Sequence, residues 1–224
     1  MYQCCIFDLD GTLINSIYAL TKTINLMLAE YGYGPVDDEH TKVFVGDGYK
    51  KFVERALVYS GDKDLVHYED ALKTYNRYFK ENCLYRIDAY DGIRELLEFL
   101  KANGVKIAVL SNKAHERTIE NIETVFGKGY FDVISGEKEG VNRKPDPAGV
   151  YAVLEELGLK PEQGLYLGDT STDMKTGLAA GMDTAGVTWG FRCREELEAY
   201  HPKFIVDDPR EVIDIIKKPL SYEK

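Results

Sequence analysis

The sequence predicts an α/β protein, with a parallel sheet covered by helices on both faces and a helical segment inserted behind the first strand. Residues 2–7 form a short apolar run that ends in an Asp-Gly turn signal, as a buried strand does. From residue 90 onward, short apolar runs alternate with segments of helical periodicity, which is typical of βαβ units. Between these two parts, residues 15–87 show helical patterns and no convincing strand.

The C-terminal part can be assigned element by element, because apolar side chains at helical spacing predict helices and short unbroken apolar runs predict buried strands. Right-handed crossovers link strands of this kind, so we expect the N-terminal strand to join the same sheet. Residues 217–224 carry no such pattern and are expected to be frayed. Helices are predicted over 93–101, 115–126, 148–157 and 174–180, and strands over 106–110, 131–134, 165–167, 184–187 and 204–206.

The inserted segment contains three helical patterns, over residues 17–31, 49–59 and 65–79. The first ends at a Gly-Tyr-Gly-Pro run, which is a helix stop signal. We therefore predict a core domain made of residues 1–14 and 88–224, with residues 15–87 as a small helical domain. An insert that begins directly behind the first strand is well placed to act as a lid over a site at the end of that strand.

The net charge of the chain restricts the kinds of molecule that it is expected to bind. The formal net charge is −10, whereas general nucleic-acid binders and binders of anionic membranes need basic surface. A small anionic substrate remains compatible with this charge, because a few local cations can dominate a cleft. There is no apolar run of membrane-spanning length and no signal-peptide pattern at the N-terminus, so the expected location is the cytoplasm.

Asp8 and Asp10 follow the first predicted strand, at the edge where open α/β sheets place their ligand sites. An acidic pair there suits a hard divalent cation such as Mg²⁺, which takes oxygen ligands. The simpler interpretation is a strand that runs into a turn, since Asp and Gly are common turn residues. The full Asp-x-Asp-Gly-Thr pattern fixes four residue types, and this specificity favours a functional site.

Three more strand ends or loops carry residues suited to phosphate chemistry. Ser111 and Asn112 follow an apolar strand just before a helix, where they could bind an anion or simply cap the helix. Lys144 lies in a Pro-stiffened loop and could neutralise a phosphate or remain solvated. Asp169 ends another strand and can complete a carboxylate cluster with the first motif. Asp173 follows one helical turn later, and the alternative for this pair is a helix cap followed by a surface acid.

Taken together, these four segments resemble the four signature motifs of the haloacid dehalogenase-like hydrolase superfamily. The first motif is residues 8–12, and it is followed by Ser111, Lys144 and the run 168–173, in the family's order and across nearly the whole chain. The resemblance implies a Rossmann-like parallel sheet as the core. The all-helical insert between the first and second motifs resembles the small helical cap of the family's subclass I.

The resemblance also implies a set of catalytic roles. Asp8 would be the nucleophile that attacks phosphorus and forms an aspartyl-phosphate. Asp10 would be the general acid for the leaving alkoxide and then the general base for water. Mg²⁺ would be held by the Asp8 carboxylate, the backbone carbonyl of Asp10 and Asp169, with Asp173 in a supporting role through water or Lys144.

The phosphoryl oxygens would be held by Ser111, the backbone of Asn112 and Lys144, together with the turn at Gly11 and Thr12. This division is physically sensible, because an anionic nucleophile that approaches a phosphate needs nearby positive charge to offset repulsion. Ser111 and Lys144 are therefore counted with the catalytic residues.

The second aspartate of the first motif separates the chemistries within the superfamily, since its dehalogenases lack an acid at that position. Asp10 therefore favours phosphoryl transfer. Residues 45–57 resemble the Val-Gly-x-Gly…Arg-Ala-Leu segment of phosphoglycolate phosphatases, and the run 188–192 resembles the same group. Gly46 and Gly48 would then let the backbone approach a small substrate, although a plain turn before a helix explains them equally well.

The function expected from the sequence is a Mg²⁺-dependent phosphatase acting on a small phosphomonoester, with 2-phosphoglycolate as the best single substrate. A pyrophosphatase, nucleotidase or sugar-phosphate phosphatase of the same subclass is an alternative, as is a phosphomutase like β-phosphoglucomutase. A non-catalytic protein that binds a phosphorylated metabolite is the alternative from another class. The partner would be a small phosphorylated metabolite, with neither nucleic acid nor membrane, and the protein would be a monomer or a homodimer.

Overall fold

The computed structural model describes residues 2–218 and contains a six-stranded sheet in which every strand pairing is parallel. In chain order the strands are β1 (Cys4–Phe7), β2 (Ile14–Asn15), β3 (Asp88–Ala89), β4 (Lys106–Ala114), β5 (Val133–Glu137), β6 (Gly164–Gly168), β7 (Asp183–Val187) and β8 (Phe204–Val206). The sheet order is β5-β4-β1-β6-β7-β8, and β2 pairs with β3 in a separate two-stranded sheet. The predicted α/β class with a parallel sheet is confirmed.

Ten α-helices lie within the described residues. They are α1 (Ile17–Glu30), α2 (Asp38–Phe44), α3 (Tyr49–Ser60), α4 (Tyr68–Asn82), α5 (Ile93–Ala102), α6 (His115–Phe126), α7 (Ala148–Leu157), α8 (Ser171–Ala179), α9 (Arg194–Glu198) and α10 (Pro209–Lys217). A 3₁₀ turn at Pro161–Gln163 precedes β6. Residues 217–224 are predicted to be frayed, and those beyond Lys218 lie outside the described residues.

The described chain divides into two compact units. The sheet unit comprises residues 2–14 and 89–218, and the helical unit comprises residues 15–88. The chain therefore leaves the sheet unit directly behind the first acidic motif and returns to it at β3.

Strands of the sheet unit are buried on both faces, which explains their continuous apolar sequences. Cys5 and Phe7 of β1 pack into a cluster that includes apolar side chains of α5 and α10. Cys4 and Ile6 point to the other face and pack with apolar side chains of α7. Because successive side chains of a strand alternate between faces, β1 contributes to both layers and lies at the centre of the unit.

One boundary differs from the sequence prediction in a way that matters for the site. The strand predicted over 106–110 continues to Ala114, with a register shift against β5 between Leu110 and Ala114. The next helix starts at His115, and Ala114 occupies its N-cap without a side-chain hydrogen bond. The expectation that Ser111 or Asn112 immediately precedes the helix is therefore wrong, because both residues still belong to the strand.

Helices α2, α9 and α10 have no counterpart in the sequence prediction. The first two have seven and five residues, too few for a periodic apolar pattern to stand out. The third carries clear signals, because Asp208 caps it by accepting a hydrogen bond from the backbone of Arg210, and Pro209 occupies its first turn.

In the helical unit, α4 packs against α1 and α3. Tyr75 of α4 is buried, stacks on Phe79 at 5.5 Å between ring centroids and meets Phe52 of α3 edge to face. These rings form part of the apolar core of the unit.

No helix within residues 2–218 combines the length and apolar character needed to cross a bilayer. All four cysteines are free; Cys193 is exposed and the other three are buried.

Candidate active site

The first acidic motif lies at the carboxyl end of the central strand. The backbone N–H of Asp8 donates to the carbonyl of Leu167 at 2.9 Å, which continues the pairing of β1 with β6 by one residue. A tight turn follows, in which the N–H of Gly11 donates to the carbonyl of Ile14 and Gly11 has φ +89°. A β-carbon at Gly11 would lie 2.2 Å from Oδ2 of Asp169, so the turn approaches that carboxylate more closely than any side chain permits.

Lys144 is almost fully buried and contacts two of the predicted site acids. Its ammonium nitrogen lies 2.8 Å from Oδ1 of Asp8 and 2.6 Å from Oδ1 of Asp173. Asn112 of β4 holds the backbone of Lys144 by two hydrogen bonds. The side-chain amide of Asn112 donates to the Lys144 carbonyl at 3.1 Å and accepts from the Lys144 N–H at 2.9 Å. The Asn112 side chain therefore positions the lysine loop.

Ser111 lies next to that contact, also at the end of β4. Val109 pairs with Phe7, so Ser111 lies two residues past the register partner of the last residue of β1. Its hydroxyl oxygen accepts a hydrogen bond from the backbone of Lys113 at 3.2 Å, and the residue is buried. The second motif thus reaches the same edge of the sheet as the first.

The fourth motif follows β6 and begins α8. Thr170 is the N-cap, and its hydroxyl donates to Oδ2 of Asp173 at 2.6 Å within a capping box. The other acid, Asp169, accepts from the hydroxyl of Thr12 at 3.1 Å through Oδ1 and from the backbone N–H of Phe191 at 2.8 Å through Oδ2. Both acids are fully buried, so the interpretation of Asp173 as a surface acid does not hold.

Carboxylate oxygens of Asp8, Asp169 and Asp173 all lie within 4.8 Å of one another. Burial and the nearby charge of Asp173 raise the pKa of Asp8 to about 7, although Lys144 opposes this rise. Burial and the neighbouring acids also raise the pKa of Asp169. Burial alone would lower the pKa of Lys144, but the charges of Asp173 and Asp8 outweigh it and raise that pKa. The cluster contains three carboxylates, and one ammonium group, that of Lys144, contacts two of them. Negative charge therefore exceeds positive charge within the cluster.

These observations fit a divalent cation. All the converging donors are oxygens, which is the ligand set that hard cations such as Mg²⁺ take. The backbone packs closely behind two of these acids, because β-carbons at Gly168 and Gly190 would lie 2.2 Å and 2.3 Å from the β-carbons of Asp173 and Asp169. Extra positive charge would offset the repulsion that raises the pKa values of Asp8 and Asp169.

Comparison with known proteins agrees with this geometry. Residues 5–187 match the model of a protein family described as haloacid dehalogenase-like hydrolase. A phosphoglycolate phosphatase of Pseudomonas putida is 31% identical over 210 residues, covering 92% of this chain and 77% of that protein. A phosphoglycolate phosphatase of Aquifex aeolicus is 32% identical, covering 94% of this chain and 95% of that protein.

A solved structure gives the same result at the level of the fold. The crystal structure of a predicted phosphoglycolate phosphatase from Haemophilus somnus superposes with a TM-score of 0.89 at 26% identity, covering 96% of this chain and 98% of that one. The chain belongs to the haloacid dehalogenase-like hydrolase family. The predicted membership of this hydrolase family, with phosphoglycolate phosphatases among the relatives, is therefore confirmed.

The structure shows where each predicted site residue of this hydrolase lies. Within the sheet unit it brings together residues from all four motifs: Asp8, Asp10, Gly11, Thr12, Ser111, Asn112, Lys144, Asp169 and Asp173. The hydroxyl of Thr12 is bonded to Asp169, which makes it a support for that acid. The roles assigned to these residues remain predictions.

Gly46 and Gly48 belong to the helical unit, in the connection between α2 and α3. Both have positive φ, at 122° and 83°, and Gly48 is the N-cap of α3. Arg55 holds this connection: it donates to the carbonyl of Phe44 at 2.9 Å and pairs with Asp47 at 2.5 Å. A functional role for the two glycines likewise remains a prediction.

Sequence reasoning missed two parts of the site. One is Lys113, whose ammonium nitrogen contacts Oδ1 of Asp10 at 2.7 Å. Its position two residues after Ser111 on an extended segment was an available signal, since such residues share a face. The other is a pair of contacts made by the loop after β7, which the sequence analysis marked only by a family resemblance over residues 188–192. Phe191 donates its backbone N–H to Asp169, and the indole of Trp189 donates to the Thr12 carbonyl at 3.0 Å. A backbone donor leaves no signal in the sequence.

Proposed function

We propose that this protein is a Mg²⁺-dependent phosphatase that hydrolyses a small phosphomonoester through an aspartyl-phosphate, with 2-phosphoglycolate as the first substrate to test. One observation carries the proposal: Asp8, Lys144, Asp169 and Asp173, which come from three separate segments, form one buried cluster at the carboxyl end of the sheet. The names of the relatives from Pseudomonas putida and Aquifex aeolicus favour 2-phosphoglycolate.

In the first half of the reaction, a carboxylate oxygen of Asp8 attacks phosphorus and the bond to the substrate oxygen breaks. Asp10, which takes up a proton before this step, gives that proton to the departing alkoxide. In the second half, Asp10 takes a proton from water as that water attacks phosphorus, which releases inorganic phosphate and restores the Asp8 carboxylate. Two acids two residues apart therefore have different tasks, and binding alone would not require the second one.

Several groups are available to hold the phosphoryl oxygens. Lys144 brings a cation into contact with Asp8, and we expect Ser111, the backbone of Asn112 and the turn at Gly11 and Thr12 to supply the other donors. Because both the nucleophile and the phosphate are anionic, fixed positive charge and hydrogen-bond donors are the main source of catalysis in this reaction class.

The residues that would hold Mg²⁺ are the Asp8 and Asp169 carboxylates and the backbone carbonyl of Asp10, with Asp173 acting through Lys144. Bound there, the cation supplies charge that offsets repulsion between Asp8 and the phosphate. Thr12 and the Phe191 N–H hold Asp169 for this task. Outer-sphere contacts of this kind orient metal ligands.

We assign the sheet unit as the catalytic core and the helical unit as a cap that selects the substrate. The insertion of the helical unit directly behind Asp8 and Asp10 favours this division, as does the resemblance to subclass I. The glycine-rich connection 45–48 is the segment of the cap that we expect to contact the substrate. A pyrophosphatase, a nucleotidase, a sugar-phosphate phosphatase or a phosphomutase would share the same core.

The first experiment measures release of p-nitrophenol from p-nitrophenyl phosphate with Mg²⁺ and with EDTA. We expect turnover that requires Mg²⁺ and that falls at least about 10³-fold in Asp8→Asn, because the amide is not a nucleophile. A circular dichroism spectrum like that of the wild type controls for folding. Full activity in EDTA would exclude the metal-dependent reaction, and turnover surviving in Asp8→Asn would exclude the aspartyl-phosphate.

The second experiment compares kcat/KM for 2-phosphoglycolate, pyrophosphate, nucleoside monophosphates and hexose phosphates. We expect 2-phosphoglycolate to exceed each of the others by about tenfold or more, a modest demand on binding discrimination. A higher value for any other substrate would replace 2-phosphoglycolate in the proposal while leaving the phosphatase chemistry intact.

A further inference from the structure

Lys113 lies near the end of β4 and forms an almost buried ion pair with Asp10. Its ammonium nitrogen is 2.7 Å from Oδ1 of Asp10, and the exposed fractions of the two side chains are 6% and 14%. The pair joins the turn behind β1 to the neighbouring strand, across 103 positions of sequence. None of the roles described above requires this lysine.

The two lysines of the site contact different acids. Lys144 contacts Asp8 and Asp173, whereas Lys113 contacts Asp10. Taking charges out of water is costly, so a nearly buried ion pair is stable only with close geometry of this kind. The pair therefore holds the Asp10 carboxylate in one orientation.

That orientation leaves one oxygen of Asp10 available. Lys113 binds Oδ1, and within residues 2–218 no donor is bonded to Oδ2. An aspartate side chain can rotate, and a proton carrier works only when its oxygen stays within hydrogen-bond reach of the group that it serves. Fixing Oδ1 fixes where Oδ2 lies.

We propose that Lys113 is a positioning residue that holds Oδ1 of Asp10, so that Oδ2 exchanges the proton with the leaving alkoxide and with water. This inference rests on the proposed phosphatase function. Lys113 forms no bond to the substrate in this scheme and acts through Asp10 alone. Two other roles make different predictions: a lysine that binds the substrate carboxylate, and a lysine that only stabilises the fold.

The test uses three substrates and reports kcat/KM, which covers the steps up to departure of the leaving group. 2-Phosphoglycolate and glycerol 2-phosphate have alkoxide leaving groups that need a proton, and the second lacks a carboxylate. p-Nitrophenyl phosphate has a leaving group that departs without a proton. We expect Lys113→Met to lower kcat/KM about 30-fold for both alkyl phosphates, mainly through kcat, and less than about threefold for p-nitrophenyl phosphate.

Two further variants complete the design. Lys113→Arg retains a cation at this position and is expected to recover most of the activity towards alkyl phosphates. Lys106→Met is the matched control, since Lys106 begins the same strand and pairs with Asp132 at 2.8 Å on the surface. Its three kcat/KM values are expected to stay within about twofold of the wild type, as exposed pairs contribute little.

Each alternative gives a distinct result. A loss confined to 2-phosphoglycolate and expressed in KM would show that Lys113 binds the substrate carboxylate. An equal loss on all three substrates would show a structural role, and either result overturns the inference.

A double variant gives a second test. In single turnover with excess enzyme, adding Lys113→Met to Asp10→Asn should change the rate less than about twofold, and a larger change would also overturn the inference. A wild type inactive on all three substrates would instead refute the phosphatase function, and this inference with it.

Discussion

The sheet unit and the helical unit differ in where they place charge. The sheet unit buries Asp169, Asp173 and Lys144 in mutual contact or in hydrogen bonds. In the helical unit, ion pairs such as Lys73–Asp70 lie on the surface, with exposed fractions of 77% and 75%. Buried charge is stable only when it is matched by partners, whereas surface charge is solvated by water. The buried charged cluster of the sheet unit is therefore tightly constrained in its residues, whereas the surface pairs of the helical unit are freer to vary.

Under the proposed function, this difference would separate the chemistry from the choice of substrate. A reaction that depends on several buried charges tolerates few substitutions. A connection such as residues 45–48, held by the half-exposed pair of Arg55 with Asp47, can change with modest effects on stability. Similar effects of substitutions in the two units on stability and activity would contradict this comparison.

The largest effect is expected for Lys144→Met in the sheet unit. It leaves Asp8 and Asp173 without their shared cation, and breaking a buried pair typically costs about 3 kcal/mol or more. Urea unfolding should show a loss of this size in the free energy of unfolding without Mg²⁺, and a smaller loss with Mg²⁺. Turnover of p-nitrophenyl phosphate should fall at least about 10³-fold. Stability equal to that of the wild type would show that the acids do not depend on this lysine.

An intermediate effect is expected for Gly190→Ala, which places a β-carbon 2.3 Å from both the Asp169 β-carbon and the Gly11 carbonyl oxygen. Asp169 or the loop must move, so we expect the Mg²⁺ concentration for half-maximal activity to rise about tenfold. Gly34→Ala in the helical unit is the control, because nothing lies within 4 Å of the position that the new methyl group would take and the φ of Gly34 is not positive. Equal Mg²⁺ requirements in the two variants would contradict a packed support around Asp169.

The smallest effect is expected for Arg55→Met in the helical unit. It removes the hydrogen bond to the Phe44 carbonyl and the pair with Asp47, both partly exposed. We expect KM for 2-phosphoglycolate to rise about fivefold, with kcat for p-nitrophenyl phosphate nearly unchanged, because the proposed function gives this connection a role in recognition only. Lys73→Met serves as the surface control. An unchanged KM would mean that the connection 45–48 does not select the substrate.

Much of the fold could be predicted because its signals are local. The alternation of apolar runs and helical periods after residue 90 predicted β5, β6, β7 and β8 to within a few residues. Helix α6 was predicted over the residues that it occupies, His115–Phe126. The prediction failed where the local pattern was short, as in α2 and α9, or where a cap signal was overlooked, as at Asp208.

The site was predictable in part for the same reason. Asp8, Asp169 and Lys144 each follow a strand or lie in a stiff loop, and parallel strands bring their carboxyl ends to one edge. For Lys113 the only local signal was its position two residues after Ser111, which does not identify Asp10 as its partner, and a lysine near a strand end is by default solvated.

The sequence by itself determined the fold class, the order of the motifs and the residues that can carry phosphoryl chemistry, because these depend on apolar periodicity and on residue types at strand ends. Only the tertiary structure decided which partners hold those residues. Thr12 and the Phe191 backbone hold Asp169, and Lys113 holds Asp10. These contacts join positions 157, 22 and 103 residues apart, and a local pattern carries no information about pairs so distant. The packing of the strands and loops selects them.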